Sequence, residues 1–491
     1  MLNINQKLLI SKQRFKSNSI SPARQMEEKE EKIKKSLKFS IFDGAFYWMM
    51  VGFGESFLAA FAVFLKATNV QLGLLSSLPK ALGSLSQLFS NNLLKFFKSR
   101  KKIVCIGVFL QAFMYIPIAL VFFFGEFSIP ILIVFVCLYW IFGAIGGPAW
   151  SSWMGDLVSE HKRGDYFGNR NKIGSFVSFL SLLAAGYILQ RFSTGNFMEY
   201  VGFCIIFSIA IVSRFISFFY LTKQYEPEYV FEPKSHFSFI QFLKQARFTN
   251  YGLFVFYLSL MNLGIYIAAP FFTPYMLYDL KLSYTLFTIL TATAMIVKFM
   301  MMPIWGNLCD KYGTKKVLTI SGFLMPAIPL LWTLSTNINY LIFVQIFAGF
   351  SWAGFDIASF NFIFDTTKPS KRATCVAYYK VLKGLAIFIG AMAGGLMVNY
   401  NSFFWSKYYL VFIISFVIRY FASFLLLPKL KEIRMVEAIS HRKLLMKALT
   451  TRPSIGLVST IMTFRRNNHK KILMKPSFKF KFSIFQKKQK R

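Results

Sequence analysis

Twelve apolar stretches of about twenty residues or more recur along this chain, and no water-soluble fold can bury so many. They cover 41–65, 71–95, 103–124, 129–153, 172–191, 199–222, 249–272, 283–308, 316–335, 340–364, 375–398 and 405–427. Each is long enough to cross a hydrocarbon core of roughly 30 Å as a helix. A helix is also the only open-ended structure that satisfies its own backbone there. Charged residues make up only 16% of the 491, against about 25% in soluble domains. The fold class is therefore an all-α membrane protein with twelve transmembrane helices.

The net charge of +37 would point to nucleic acid in a soluble protein. In a membrane protein it follows from the concentration of Lys and Arg in cytoplasmic segments. With the N-terminus placed in the cytoplasm, 47 of the 57 basic residues fall on that side. Lys66, Arg191, Lys281 and Lys407 alone fall on the other. The expectation is an integral cell-membrane protein with both termini cytoplasmic and no nucleic-acid partner. The first forty residues are polar and lysine-rich, without the pattern of a cleaved signal peptide.

The chain divides into a cytoplasmic arm (1–40), a first set of six spans (41–222), a central loop (223–248), a second set of six (249–427) and a basic tail (428–491). The two sets look duplicated. Asp156 and Arg163 flank the connection after span 4, and Asp365 and Arg372 flank the one after span 10. Further on, AAG at 184–186 matches AGG at 393–395 with the same offset. Two pseudo-symmetric six-helix bundles are the simplest account, and such repeats are a mark of secondary transporters.

Between spans 8 and 9 stands a polar run, GNLCDKYGTKK (306–316). Gly306 would let a neighbouring helix approach. Gly313 would supply positive φ in a tight turn. Asp310 is an anion at the membrane boundary, suited to a helix N-terminus or an arginine. The run resembles the signature loop of the major facilitator superfamily through Gly306, Leu308, Asp310, Lys311, Gly313, Lys315 and Lys316; Thr314 departs from it. RGDYFGNRN (163–171) is similar to the helix 4–5 connection of prokaryotic members. The resemblance covers about residues 40 to 428. It implies the major facilitator fold, and a gate latch in which Asp310 meets the start of span 5 near Arg163 and Gly164. The alternative is a solubilised turn. The equivalent first-half loop, NNLLKFFKSRKK, places Phe96 where Asp310 stands, so any latch would be asymmetric.

Ionisable groups inside spans cost at least about 2.5–3.5 kcal/mol each, which makes them functional candidates by default. Glu55 lies mid-span in helix 1 and Asp356 in helix 10; the resemblance implies that helices 1, 4, 7 and 10 line a central cavity. A carboxylate balanced between desolvation and a nearby lysine can load and release a proton. Lys80 in span 2 and Lys298 in span 8 would attract an anionic substrate or neutralise those carboxylates as structural ion pairs. Lys380 and Lys383 lie near the cytoplasmic end of span 11, where snorkelling explains them as well as function does. Arg214 and Arg419 suit a structural or snorkelling role in spans 6 and 12. Trp140, Trp150, Trp153 and Trp352 are either cavity-lining or packing residues.

The arm carries EEKEEKIKK (27–35), which reads as a short exposed helix with i,i+4 pairs. The tail holds 18 basic residues against Glu432 and Glu437, and suits anionic inner-leaflet lipids. The five cysteines form no metal or disulfide pattern. No phosphate-binding loop or enzymatic motif is present, so neither a cofactor nor enzyme activity is expected. The reading is a monomeric secondary active transporter of a small molecule, working by alternating access, with protons as a candidate coupling ion. The alternative is a transporter-like receptor or interaction protein without transport. The retained membrane charges argue against that alternative.

Overall fold

The computed structural model describes residues 22–159, 163–227, 239–246, 248–367, 369–400, 404, 406–434 and 436–451. Every regular element among them is helical. The first half contains α1 (Pro22–Phe53), α2 (Leu58–Phe64), α3 (Asn69–Ser86), α4 (Ser90–Phe97), α5 (Arg100–Leu120), α6 (Ser128–Ile145), α7 (Gly147–Leu157), α8 (Arg163–Arg191) and α9 (Asn196–Thr222). After a short α10 (Phe239–Ala246), the second half contains α11 (Asn250–Ala268), α12 (Tyr284–Tyr312), α13 (Thr314–Leu324), α14 (Ala327–Leu331), α15 (Ile338–Thr366), α16 (Pro369–Tyr400) and α17 (Tyr409–Leu426). A tail helix, α18 (His441–Thr450), follows.

Nine helical stretches among the described residues, not twelve, are long and apolar enough to cross a membrane. One of the nine, Arg100–Leu157, is 58 residues long and contains both span 3 and span 4. It turns back at Gly125, whose φ of 55° and ψ of −123° no helix can contain. Spans 2 and 9 are not among the nine, and each is interrupted. The first breaks at a 3-10 turn over Gln87–Phe89. The second breaks around Pro326, which begins the short α14. Span 5 starts earlier than expected, at Arg163. The arm is likewise no separate short helix. It runs unbroken into span 1 as α1, with the expected i,i+4 pair present between Glu31 and Lys35 at 2.7 Å.

Packing repeats between the halves. In the first half, α1 lies against α8 and α9, α6 against α3 and α5, and α5 against α9. In the second, α11 lies against α16 and α17, α15 against α12 and α13, and α13 against α17. Only two extensive seams join the halves, α3 on α16 and α8 on α12, and they too are related by the repeat. The duplicated glycines occupy these seams. A β-carbon on Gly186 would overlap Thr288 of α12, and one on Gly395 would come within 3.1 Å of Val70 in the first turn of α3. Small residues let helices approach where lipid supplies no hydrophobic drive.

The arm, the polar loop of 306–316 and the tail share one face, here called the basic face. Hydrogen bonds between the halves gather at the opposite, far face. Asn69 bonds Asn399 at 3.0 Å, Tyr284 donates to Glu199 at 2.6 Å, and Tyr278 donates to the Val63 carbonyl. Nearer the basic face than the bond from Lys380 to Gln87, no hydrogen bond between described residues joins the halves.

Candidate functional site

Helix α1 stops at Phe53 and resumes as α2 only after a 3-10 turn over Glu55–Phe57. Gly54 makes the break close-packed, since a β-carbon there would collide with Tyr115. The turn delivers the Glu55 carboxylate to Tyr139 of α6, whose hydroxyl donates to it at 2.5 Å. Tyr115 packs edge-on against Tyr139 with ring centroids 5.0 Å apart. Glu55 forms no ion pair with Lys80.

Lys80 lies one residue after Pro79 in α3 and reaches across to the second half. Its Nζ donates to the Tyr266 hydroxyl at 3.0 Å and sits 5.9 Å from the Trp140 ring centroid. Lys298 of α12 pairs instead with Asp356 of α15 at 2.5 Å, each side chain about a third exposed. Trp352, one turn before Asp356, has Lys298 6.0 Å from its ring. The structure thus joins two of the four sequence-named membrane charges to each other and gives the other two neutral phenolic partners. The Lys380 Nζ donates to Gln87, in the 3-10 turn after α3, at 2.8 Å.

Arg214 and Arg419 do not snorkel, for both are buried inside their own bundles. Arg214 donates twice to Gln111, at 2.9 and 2.6 Å, and once to Ser217. Arg419 has a longer contact, 3.4 Å, to the Ile265 carbonyl. Trp153 is fully buried and donates to the Tyr225 carbonyl, which makes it a packing residue. Within RGDYFGNRN, Arg170 ties α8 to α1 by pairing with Asp43 at 3.1 Å.

At the basic face, the polar loop closes on the tail. Asp310 meets Arg434 at 2.9 Å. The side chains of Arg163 and Gly164, the partner expected at the start of span 5, lie outside the described residues, as does that of Arg372. Arg434 also binds Asp365 at 2.9 Å, and Thr314 donates to the same carboxylate. Partial burial works against the Arg434 charge, but its hydrogen bonds to Asp365 and Asp310 outweigh this and raise its pKa. Glu432 accepts from the Lys315 backbone N–H at 2.8 Å, which caps α13. Lys311 approaches Glu437 at 3.7 Å, and the Lys316 Nζ reaches the Glu437 carbonyl at 3.5 Å. Gly313 adopts φ of 101°, as its place in the turn requires. Gly306 is not a close-approach site, because a β-carbon there would meet only Ile357 at 4.0 Å. Leu308 is buried beneath the loop.

The first half repeats this layout with other residues. Asp156 pairs with Arg100 at 2.5 Å, and Glu226 accepts from the Arg100 backbone N–H at 2.6 Å. So each half has a carboxylate ending its fourth span, an arginine answering it, and a glutamate after its sixth span capping its third. Arg100, Glu226, Arg434 and Glu432 were not singled out by sequence reasoning. Their signal was available in retrospect: an acidic residue stands shortly after the last span of each half. Among the described residues no cluster of His, Cys, Asp and Glu could hold a metal, and all five cysteines are free.

The family model described as Major Facilitator Superfamily matches residues 39–265 and again 253–465. The chain is 27% identical over 165 residues to Multidrug resistance protein 3 of Bacillus subtilis (strain 168), a stretch covering 33% of this chain and 30% of that protein. Among solved structures, it is similar to a mutant of the nucleoside transporter NupG, with a TM-score of 0.62, 14% identity and coverage of 81% of this chain and 100% of that one. It is also similar to the xylose transporter XylE from E. coli in a partially occluded inward open conformation, with a TM-score of 0.57, 12% identity and coverage of 83% and 98%. A bacterial homolog of the human lysosomal transporter Spinster, inward-facing and unoccupied, gives 0.55, 14%, 87% and 99%.

Proposed function

The chain belongs to the Major Facilitator Superfamily, and on that premise we propose that it is a secondary active transporter of a small molecule, working by alternating access. The observation that carries this is the pair of repeat-related, glycine-lined seams. They are the two places where the halves pack closely, so the halves can rock about them while each stays internally bonded. Among the described residues, hydrogen bonds join the halves at the far face and none does so at the basic face. With the basic face in the cytoplasm, this is an inward-facing state. The substrate would contact Lys80, Lys298 and Asp356 between the halves. Glu55, held by Tyr139, is the candidate coupling group.

The basic-face carboxylates would act as latches. In this state, Asp310 is held by the tail through Arg434. On rocking, the polar loop would approach the start of α8, and Asp310 would exchange one partner for another. The domain limits implied are those of the sequence: two bundles at 41–222 and 249–427, joined by 223–248.

The test is uptake and efflux in proteoliposomes against a mixed small-molecule panel, with and without an imposed pH gradient. Gradient-driven flux lost in Glu55→Gln supports proton coupling through Glu55. Flux indifferent to both removes Glu55 from coupling and leaves a facilitator. Folded protein that moves nothing in a broad panel counts against transport.

A further inference from the structure

Three lysines meet at the α3–α16 seam with no carboxylate paired to any of them. Lys80 donates to the phenol of Tyr266, and Lys380 donates to the amide of Gln87. Lys383 makes no hydrogen bond or ion pair with any described residue. They belong together in space. A β-carbon on Gly384 would come within 3.5 Å of Ala81 and Ser84, next to Lys80, and Tyr266 lies in the electrostatic field of both Lys80 and Lys383. Lys380 and Lys383 stand 5 and 8 residues into the apolar part of α16, Cys375–Tyr400, or roughly 8 and 12 Å along it.

Like charges brought together at one seam repel one another, and an ionisable group within a span is costly. The same protein neutralises Lys298 with Asp356 at 2.5 Å, so a partner could have been built in. Glu55 acts on Lys80 only at longer range, and its oxygen is held by Tyr139. Among the described residues, then, no carboxylate contacts this cluster. Trp140 and Tyr266 flank Lys80 with ring centroids 5.9 and 4.9 Å from its Nζ, offering flat apolar faces beside the charge.

We propose that the seam binds a small organic anion carrying a planar ring, with the anionic group between Lys80 and Lys383 and the ring against Trp140. This rests on the transporter reading for its role as substrate, but not for binding itself.

The experiment compares fluorescein, a dianion, with rhodamine 123, a cation on the same tricyclic core. Binding is read by fluorescence anisotropy with the full chain in nanodiscs of zwitterionic lipid, so that anionic headgroups do not compete. Fluorescein is expected to bind at least tenfold tighter than rhodamine 123. Lys80→Gln and Lys383→Gln should each weaken fluorescein by about tenfold, the worth of a charge-assisted hydrogen bond. Lys80→Arg and Lys383→Arg keep the charge and should keep the preference, which guards against variants that merely misfold. Rhodamine binding as tight as fluorescein, binding of neither, or fluorescein binding unmoved by the glutamine variants overturns the proposal. Fluxes of both dyes are measured beside binding. Fluorescein bound but not moved counts against transport and leaves the anion site standing. Rhodamine moved without fluorescein does the reverse.

Discussion

Arg434 and Asp365 lie 2.9 Å apart although 69 residues of chain separate them. The same guanidinium holds Asp310 at 2.9 Å, so one arginine from the tail answers two carboxylates that end different helices. In the first half, the matching Asp156 is answered by Arg100, which belongs to the bundle itself and is fully buried. In the second half, therefore, the carboxylates at these helix ends are answered by a segment outside the spans.

Replacing Arg434 with glutamine should release both carboxylates and lower stability by about 1–3 kcal/mol. Asp310→Asn should cost only about 0–1 kcal/mol, because Asp310 is 71% exposed and screened by water. Thermal melts followed by fluorescence-detected size exclusion rank the two, and equal losses would contradict the ranking.

The two loop glycines should behave differently. Gly313→Ala forces a side chain into a φ of 101° and against the Glu432 carboxylate, for a loss of about 1–3 kcal/mol. Gly306→Ala, in open helix, should be neutral or stabilising by up to about 1 kcal/mol. The same melts decide, and a larger loss at Gly306 would mean a packing partner has been missed.

Lys298 and Asp356 should couple. Each single neutral substitution strands a membrane charge, so Lys298→Met and Asp356→Asn should each destabilise more than their combination. A double-mutant cycle should return about 0.5–3 kcal/mol of interaction. Additive losses would show that the pair contributes nothing.

Rocking can be blocked at the far face. Cysteines at Asn69 and Asn399, whose side chains bond at 3.0 Å, should cross-link on oxidation once the native cysteines are replaced. Flux should then fall to the background of empty liposomes and return on reduction. Unchanged flux in fully cross-linked protein would exclude opening at that face.

Much of this protein is legible without a fold. The apolar spans, the charge bias between the two sides, the duplicated half and the polar loop are properties of composition and short spacing. A hydrocarbon core acts on each segment separately, so these features survive without knowledge of neighbours. The offset of 209 even placed Gly186 and Gly395 in equivalent positions before their seams were known. Other inferences failed because they depend on neighbours. Gly306 reads as a contact glycine until Ile357 is found at a distance. Sequence leaves Arg214 open between a structural and a snorkelling role until Gln111 is brought to it.

Sequence by itself determined that this chain is a duplicated bundle of membrane helices with a basic side and a family loop. Only the tertiary structure decided which charges meet. Asp310 and Arg434 are 124 residues apart, and Lys80 and Tyr266 are 186 apart. Hydropathy says that a charge inside a membrane must be answered, but not by whom. That depends on which helices pack together and at what depth, and it leaves Lys298 paired to a carboxylate while Lys80, Lys380 and Lys383 are not.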